Sequence, residues 1–260
     1  MRLSLFGPID RWLAPAPPAG KADWIGRWIY AHRGLHLPGV PENSLAAAKG
    51  AIERGFGIEC DIQRSLDNVP MVFHDWDLKR LIGMEGQTAT FTAAELMDLR
   101  YPQSGEGPIT LPDLLTLVAG QAPFLIEIKS RQGYDVERIC SRVRTCLDAY
   151  RGLHSVMSFD PRVSHWFARH SPETVRGLVV TEEGTKGLRG DLRRHMALWH
   201  AKPDFLAYDV RDLPSRFAAS QRERGLPVAT WTVRSPDLLD RARLHADAPI
   251  AEGAGIEPRP

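Results

Sequence analysis

Two acidic residues stand two positions apart in residues 57–63, a segment in which apolar and polar side chains alternate. In an extended strand alternate side chains share a face, so Glu59 and Asp61 are predicted to point to the same side. Two carboxylates this close on one buried face repel each other, and a proton or a bound cation must relieve the repulsion. The segment therefore predicts a strand that carries a charged site. The alternative is an edge hairpin whose acids are solvated.

A second segment, residues 71–75, is predicted to fold back beside this strand. Asp67 and Asn68 lie between the two segments and are typical of a tight turn. A hairpin folded about that turn places residue 61 opposite His74, so that the imidazole lies beside the carboxylate pair. Two acids, a histidine and a cation in one place are the parts of a hydrolytic centre.

Charged or titratable residues also end two other predicted strands. His32 and Arg33 follow the first apolar run of the chain, and Glu127 and Lys129 alternate with apolar residues further on. The two histidines, His32 and His74, are suited to be a general acid and a general base, because an imidazole titrates near neutral pH.

The three carboxylates of Glu59, Asp61 and Glu127 are hard oxygen ligands, which suit Mg²⁺ or Ca²⁺ better than zinc. A divalent ion on these carboxylates leaves a single negative charge. Arg33 and Lys129 convert that into a single positive charge, which suits a singly charged phosphodiester.

The elements that position these residues alternate between strand and helix. Apart from the hairpin arm, parallel strands are predicted to begin near residues 28, 57, 123, 155, 177, 205, 228 and 248. This pattern predicts an α/β fold, a (β/α)8 TIM barrel, in which the chemistry lies at the carboxyl ends of the strands. A doubly wound open sheet is the alternative, but no glycine-rich fingerprint follows the first strand.

Two local predictions concern the surroundings of the site. Asn43 is predicted to be the N-cap of a helix that begins at Ser44, and a contact of Glu42 or Asn43 with the site is the alternative. Asp75 is expected either to orient His74 or to cap the insertion that follows it.

Residues 76–110 contain several glycines and prolines around one short helical segment. They are predicted to form a small insertion over the active-site face that sets the substrate range.

Length, charge and cysteine content limit the classes of protein to be considered. The chain has 260 residues and a formal net charge of +1, which argues against a broad nucleic-acid or membrane surface. One barrel domain is predicted at residues 28–260, after an N-terminal arm at residues 1–27. The arm is expected to pack on the barrel, although membrane contact is the alternative. Three cysteines without a CxxC pair favour a reducing compartment, the cytoplasm.

The order and spacing of these motifs closely resemble those of the glycerophosphodiester phosphodiesterase family over roughly residues 28 to 253. The matching blocks are AHRG from Ala31, PENS from Pro41, IECD from Ile58, VFHD from Val72, LKRLIG from Leu78, IEIK from Ile126, SF from Ser158 and WTV from Trp231. The resemblance implies a TIM barrel that hydrolyses a small glycerophosphodiester to an alcohol and glycerol 3-phosphate.

The same resemblance implies a role for each site residue. The acid–base pair is His32 and His74, the ligands of one divalent cation are Glu59, Asp61 and Glu127, the phosphate-binding residues are Arg33 and Lys129, and the walls of the substrate pocket are Phe159 and Trp231. Mg²⁺ and Ca²⁺ are both compatible with this ligand set.

Three other classes of protein are alternatives to this activity. A phospholipase-type barrel could cleave (lyso)phospholipids at a membrane surface, with the N-terminal arm as its anchor. A ligand-binding barrel without catalysis is expected to lack a histidine or carboxylate of the set, and none is missing. A metal amidohydrolase is expected to have an HxH pair on its first strand, which this sequence does not have.

Overall fold

The structure is a computed structural model and describes residues 6–256. Parallel strands with helices between them form the (β/α)8 TIM barrel that the sequence predicts. The described chain divides into two compact units, residues 30–154 in one and residues 6–29 with 155–256 in the other. Within residues 6–256, every helix is too short or too polar to cross a bilayer.

The helices and strands alternate along most of the chain. The helices are α1 (Gly7–Leu13), α2 (Leu45–Glu53), α3 (Lys79–Ile82), α4 (Ala93–Asp98), α5 (Leu111–Val118), α6 (Val136–Leu147), α7 (Pro161–His170), α8 (Leu188–Ala201), α9 (Arg216–Glu223) and α10 (Pro236–His245). The strands are β1 (Tyr30–Ala31), β2 (Gly57–Arg64), β3 (Pro70–Val72), β4 (Ile109–Thr110), β5 (Phe124–Ile128), β6 (His154–Ser158), β7 (Val175–Val180), β8 (Phe205–Asp209), β9 (Val228–Val233) and β10 (Ala248–Ala251).

Strand β2 is central to the unit of residues 30–154. It pairs in parallel with both β1 and β5, and Asp61 lies opposite Glu127 in the register with β5. All but the last of its residues are buried. Because neighbouring parallel strands end at the same edge of a sheet, the acids of β2 and β5 converge there.

The hairpin register differs from the prediction by one residue. Ile62 pairs with Val72, so residue 61 lies opposite Phe73 rather than His74, and the Phe73 amide donates to the Asp61 carbonyl at 3.0 Å. The predicted two-residue turn is in fact a three-residue connection, residues 66–68, because the Ser65 amide donates to the Val69 carbonyl. His74 therefore follows the end of β3 and is not part of the ladder.

The predicted N-cap at Asn43 is also wrong. Helix α2 begins at Leu45, and the side chain of Ser44 accepts a hydrogen bond from the Ala47 amide, so Ser44 is the N-cap. Asn43 instead has a positive φ of 56°, a conformation that asparagine tolerates better than most residues. Its side chain turns toward β2.

The insertion at residues 76–110 contains α3, α4 and β4, and β4 pairs with β3 in an antiparallel ladder. Its apolar side chains pack with those of the hairpin in one buried cluster, which consists of Met71, Phe73, Leu78, Ala93, Leu96 and Tyr101. The insertion is therefore anchored to the hairpin. Helix α3 lies close enough for Arg80 to contact Asp75, the residue after His74.

The other unit contains strands β6 to β10. Neighbouring strands pair in parallel from β6 to β9, and β10 pairs with β9. Its largest apolar cluster combines strand residues with residues of α8 and α9, among them Leu178, Leu198, Leu206, Tyr208, Phe217 and Val228. Ala14, directly after α1, belongs to the same cluster.

Helix α1 is fixed on this unit by one buried carboxylate. Asp10 is fully buried, and its two oxygens lie 2.8 Å from His195 Nδ1, 2.8 Å from Trp199 Nε1 and 2.9 Å from Gln221 Nε2. Burial raises the pKa of Asp10, but the hydrogen bonds from His195, Gln221 and Trp199 outweigh burial and leave the pKa below its ordinary value.

Replacing Asp10 with alanine is expected to destabilise the fold by about 1–3 kcal/mol, because buried donors lose their acceptor. The folded-state pKa of Asp10 is lowered, so its contribution is fully present above the unfolded-state pKa of about 4 and is lost as the pH falls below that value through the lower folded-state pKa. Urea unfolding of wild type and Asp10→Ala should therefore converge on acidification. The control is Asp148→Ala on the surface, and an equal loss in both variants would contradict the prediction.

Candidate active site

Three buried carboxylates meet where β2 and β5 run side by side. Glu59 and Asp61 are each 1% exposed and Glu127 is 8% exposed. One oxygen from each lies within 4.8 Å of the others. The register that sets Asp61 opposite Glu127 explains this distance, and the alternation along β2 adds Glu59 on the same face.

Two cationic side chains neutralise part of this cluster. Lys129 Nζ lies 2.7 Å from Asp61 Oδ1 and 2.5 Å from Glu127 Oε1, while Arg33 Nε lies 3.3 Å from Asp61 Oδ2. Burial raises the pKa of Asp61, but Lys129, His74 and Arg33 more than offset burial and lower it. Burial conversely lowers the pKa of Lys129, and the two carboxylates raise it above its usual range.

Glu59 is the third carboxylate of the cluster, so the carboxylates outnumber the two cationic side chains by one. Its Oε2 accepts a hydrogen bond from the Arg33 amide at 3.0 Å and lies 3.9 Å from His32 Nε2. Burial raises the pKa of Glu59 well above its ordinary value, and the charges of Asp61 and Glu127 raise it further. Three hard oxygen donors that repel one another in a buried site fit a divalent cation.

Asn43 holds Asp61 in place with both ends of its amide. Asn43 Nδ2 donates to Asp61 Oδ2 at 3.0 Å, and Asn43 Oδ1 accepts from the Asp61 amide at 3.2 Å. The Asn43 amide in turn donates to the Arg33 carbonyl at 2.9 Å. Both Arg33 and Asn43 have positive φ, so the loop after β1 is bent to bring these groups against β2.

His74 is oriented by the residue that follows it. His74 Nδ1 lies 2.7 Å from Asp75 Oδ1, and Gln63 Nε2 donates to the His74 carbonyl at 3.1 Å. A carboxylate at Nδ1 favours the tautomer with its proton on that nitrogen, which leaves Nε2 as the acceptor. The His74 side chain is 32% exposed, so a substrate can reach it.

Arg80 connects the histidine to the loop after β1. Its guanidinium donates to both oxygens of Asp75 and both oxygens of Glu42, at 2.6–3.0 Å. Glu42 Oε1 also accepts from Arg33 at 2.7 Å. An unbroken series of ionic contacts therefore runs from His74 through Arg80 and Glu42 to Arg33 and the acid cluster.

The structure brings seven of the nine predicted site residues into the unit of residues 30–154. These are His32, Arg33, Glu59, Asp61, His74, Glu127 and Lys129. The sequence left Glu42, Asn43 and Asp75 open between a contact with the site and a local capping role, and it predicted no site role for Arg80. The position of Asp75 directly after His74 was a usable signal, whereas the contact of Arg80 with Glu42, 38 positions away, carries no local pattern.

The predicted aromatic residues lie in the other unit. Phe159 follows β6 and Trp231 lies in β9, and their rings make an edge-to-face contact with centroids 5.3 Å apart. Trp231 Nε1 donates to the Ala207 carbonyl at 2.9 Å, which fixes the indole, and Phe159 is 44% exposed.

The fold and this grouping of carboxylates, cations and imidazoles define a TIM-barrel phosphodiesterase. Comparison with known proteins gives the family. The chain belongs to the glycerophosphoryl diester phosphodiesterase family, whose family model matches residues 32–252. It is a glycerophosphodiester phosphodiesterase, in agreement with the resemblance of its sequence motifs.

Individual relatives are similar over most of the chain. A probable glycerophosphodiester phosphodiesterase 2 of Mycobacterium tuberculosis is 27% identical over 88% of this chain and 92% of its own. Two solved structures have the same fold. One is a putative glycerophosphoryl diester phosphodiesterase of Silicibacter pomeroyi, with a TM-score of 0.73 and 24% identity over 86% of this chain and 89% of its own. The other is an Oleispira antarctica phosphodiesterase in complex with the product sn-glycerol-3-phosphate, with a TM-score of 0.75 and 22% identity over 86% and 92%.

Proposed function

We propose that the enzyme hydrolyses its glycerophosphodiester to an alcohol and glycerol 3-phosphate with the help of one divalent cation, Mg²⁺ or Ca²⁺. The observation that carries the proposal is the buried cluster of Glu59, Asp61 and Glu127 next to two cations and two imidazoles. The product in the Oleispira antarctica structure is the one proposed here, although that likeness concerns the fold.

The residues would divide the work by charge. Glu59, Asp61 and Glu127 would hold the cation, which supplies positive charge for the phosphate oxygens when it is bound. Arg33 and Lys129 set the charge of the acid cluster and provide further positive charge for the phosphate. Phe159 and Trp231 would contact the substrate.

The two histidines would move the protons. His32 follows β1, which pairs with β2, and His74 follows β3, which forms a hairpin with β2. Asp75 holds the proton of His74 on Nδ1, so Nε2 is free to take up a proton in one step and return it in another. The histidine that acts as base activates the attacking oxygen, and the other protonates the leaving alcohol.

A direct assay compares substrates. Glycerophosphocholine, glycerophosphoethanolamine and a lysophospholipid are incubated with Mg²⁺ or Ca²⁺, and the products are followed by phosphorus NMR. Release of glycerol 3-phosphate from the first two supports the proposal. Cleavage of the lysophospholipid alone contradicts it and supports the phospholipase alternative.

The contacts of Arg80 predict a positioning role. Arg80→Ala and Asp75→Asn are expected to lower kcat roughly 10–100-fold with little change in KM, because His74 loses its orientation while the acid cluster stays intact. Arg80→Lys should recover only part of the loss, because a lysine cannot bind two carboxylates in bidentate fashion.

The matched control is Lys79→Ala on the same helix, where the side chain is 71% exposed and pairs with Glu85. Steady-state kinetics of the four variants provide the test. Wild-type activity of Arg80→Ala, or an equal loss in Lys79→Ala, would contradict the positioning role.

Two broader assignments also belong to the proposal. We propose residues 1–27 as an N-terminal arm and residues 28–260 as the catalytic domain, of which the structure describes residues 6–256. The three cysteines are free thiols, which is consistent with a cytoplasmic location. Cell fractionation tests the location, and recovery of the enzyme in an exported or extracellular fraction contradicts it, whereas recovery on the cytoplasmic side of a membrane does not.

A further inference from the structure

Exposed apolar side chains concentrate on two helices that pack together, α1 and α8. Of the eleven large apolar side chains that are exposed among residues 6–256, five lie on these helices. We call them the α1–α8 face, which consists of Ile9, Trp12, Leu188, Leu192 and Met196. Leu188 is 88% exposed and Trp12 is 80% exposed, so neither side chain contributes to the core.

The apolar residues of α8 form one stripe. Leu188, Leu192 and Met196 are spaced four residues apart and therefore lie one above another on the helix. The helix buries Leu198 and Ala201 on another side, so it has a core-facing surface besides the exposed stripe. The core of the unit thus accounts for only part of the apolar surface of α8.

Helix α1 presents its apolar residues in a fixed orientation. The buried carboxylate of Asp10 holds the helix against α8, and rotation of Ile9 and Trp12 toward the core would break the contacts of Asp10 with His195 and Trp199. An exposed tryptophan on a rigid helix suits the interface between water and lipid, where an apolar ring with a polar N–H is stable.

Three exposed arginines lie on the helices that carry the α1–α8 face. Arg189 and Arg193 are exposed on α8, and Arg11 is exposed on α1. The acids of the two helices, Asp10 and Asp191, pair with basic side chains of α8 instead. The formal net charge of the chain is only +1, so this positive charge is a local feature of the surface.

We propose that the α1–α8 face docks on the surface of an anionic lipid bilayer. Leucine, methionine and tryptophan side chains flanked by arginines match the pattern of an interfacial helix, with the apolar groups at the acyl boundary and the arginines at the lipid phosphates. A bilayer requires no complementary pocket, so these exposed apolar side chains can contact it directly. This inference does not depend on the proposed reaction.

Cosedimentation with vesicles tests the proposal on the full-length protein. Vesicles of phosphatidylcholine with phosphatidylglycerol are expected to bind the protein, and vesicles of phosphatidylcholine alone should bind it at least about tenfold less. High salt should release the protein, because it screens the arginines. No binding to either vesicle, or equal binding to both, overturns the proposal.

Variants then locate the contact. The triple change Leu188→Ser, Leu192→Ser and Met196→Ser should abolish vesicle binding, and so should Arg189→Glu with Arg193→Glu. The control is Leu244→Ser, which removes another exposed leucine, 72% exposed on α10, and should bind vesicles like wild type. Unchanged melting temperatures show that the variants are folded. Loss of binding in the control, or a wild-type dimer that the triple change dissociates, contradicts a lipid-binding face.

Discussion

Removal of divalent cations with EDTA is expected to abolish hydrolysis, and Mg²⁺ or Ca²⁺ is expected to restore it. Glu59, Asp61 and Glu127 are buried together, and the two positive charges of Lys129 and Arg33 do not fully balance three carboxylates. Burial, and then the charges of Asp61 and Glu127, raise the pKa of Glu59 well above its ordinary value. A bound cation relieves this repulsion, so it should also stabilise the fold by about 2.7 kcal/mol at 100 times its Kd. Full activity of the cation-free protein would falsify the proposed role.

Two carboxylate variants separate metal binding from the fold. Glu59→Gln removes one buried charge, so its Kd for Mg²⁺ should rise at least about tenfold. Without the cation, Glu59→Gln should melt at or above the wild-type temperature, because the repulsion with Asp61 and Glu127 is reduced. Asp61→Asn should lose both metal binding and stability, because Asp61 also accepts from Lys129 and Asn43.

Isothermal titration calorimetry with Mg²⁺ and thermal melting measure these two effects without reference to activity. The control variant is Asp148→Asn, a surface carboxylate that is 59% exposed and should change neither. Unaltered Mg²⁺ binding by both Glu59→Gln and Asp61→Asn would show that the cation binds elsewhere.

The barrel was predictable because its signals are local. Alternation in residues 57–63 indicated β2 and the common face of its acids, and the strands predicted to begin near residues 228 and 248 are β9 and β10. The first strand was predicted to begin near residue 28, whereas β1 consists of Tyr30 and Ala31. The loop that follows contains His32 and Arg33 and bends at once, at the positive φ of Arg33.

The errors arose where side chains compete with the backbone. A two-residue turn at Asp67 and Asn68 was expected. Ser65 and Val69 instead close a three-residue connection, because the Val69 amide also donates to the Ser65 hydroxyl. Asp67 meanwhile accepts from the Ala93 amide of α4, a contact with residues of the insertion. Asn43 likewise has the chemistry of a helix cap and is used to clamp Asp61, a partner that only the folded chain brings near.

Replacement of either histidine by alanine is expected to lower kcat by about 10²–10⁴, the usual contribution of a positioned acid or base. The double variant His32→Ala with His74→Ala should lose far less than the sum of the two free-energy changes, because the pair acts as a unit. His170→Ala is the control, since this histidine is exposed and only bonds the Trp166 carbonyl and stacks on that ring. Steady-state kinetics with glycerophosphocholine measure these effects.

A substrate with a good leaving group identifies which histidine is the acid. A nitrophenyl ester of glycerol phosphate leaves without protonation, so it should restore activity to the variant that lacks the acid and not to the variant that lacks the base. Asp75 holds the Nδ1 proton of His74, so Asp75→Asn should share the leaving-group response of His74→Ala. Equal restoration of His32→Ala and His74→Ala, or restoration of neither, would refute a division of labour. A substrate that lacks the glycerol 2-hydroxyl separates two sources of the attacking oxygen. If it is cleaved at the normal rate, the attacking oxygen comes from water, and the base activates that water.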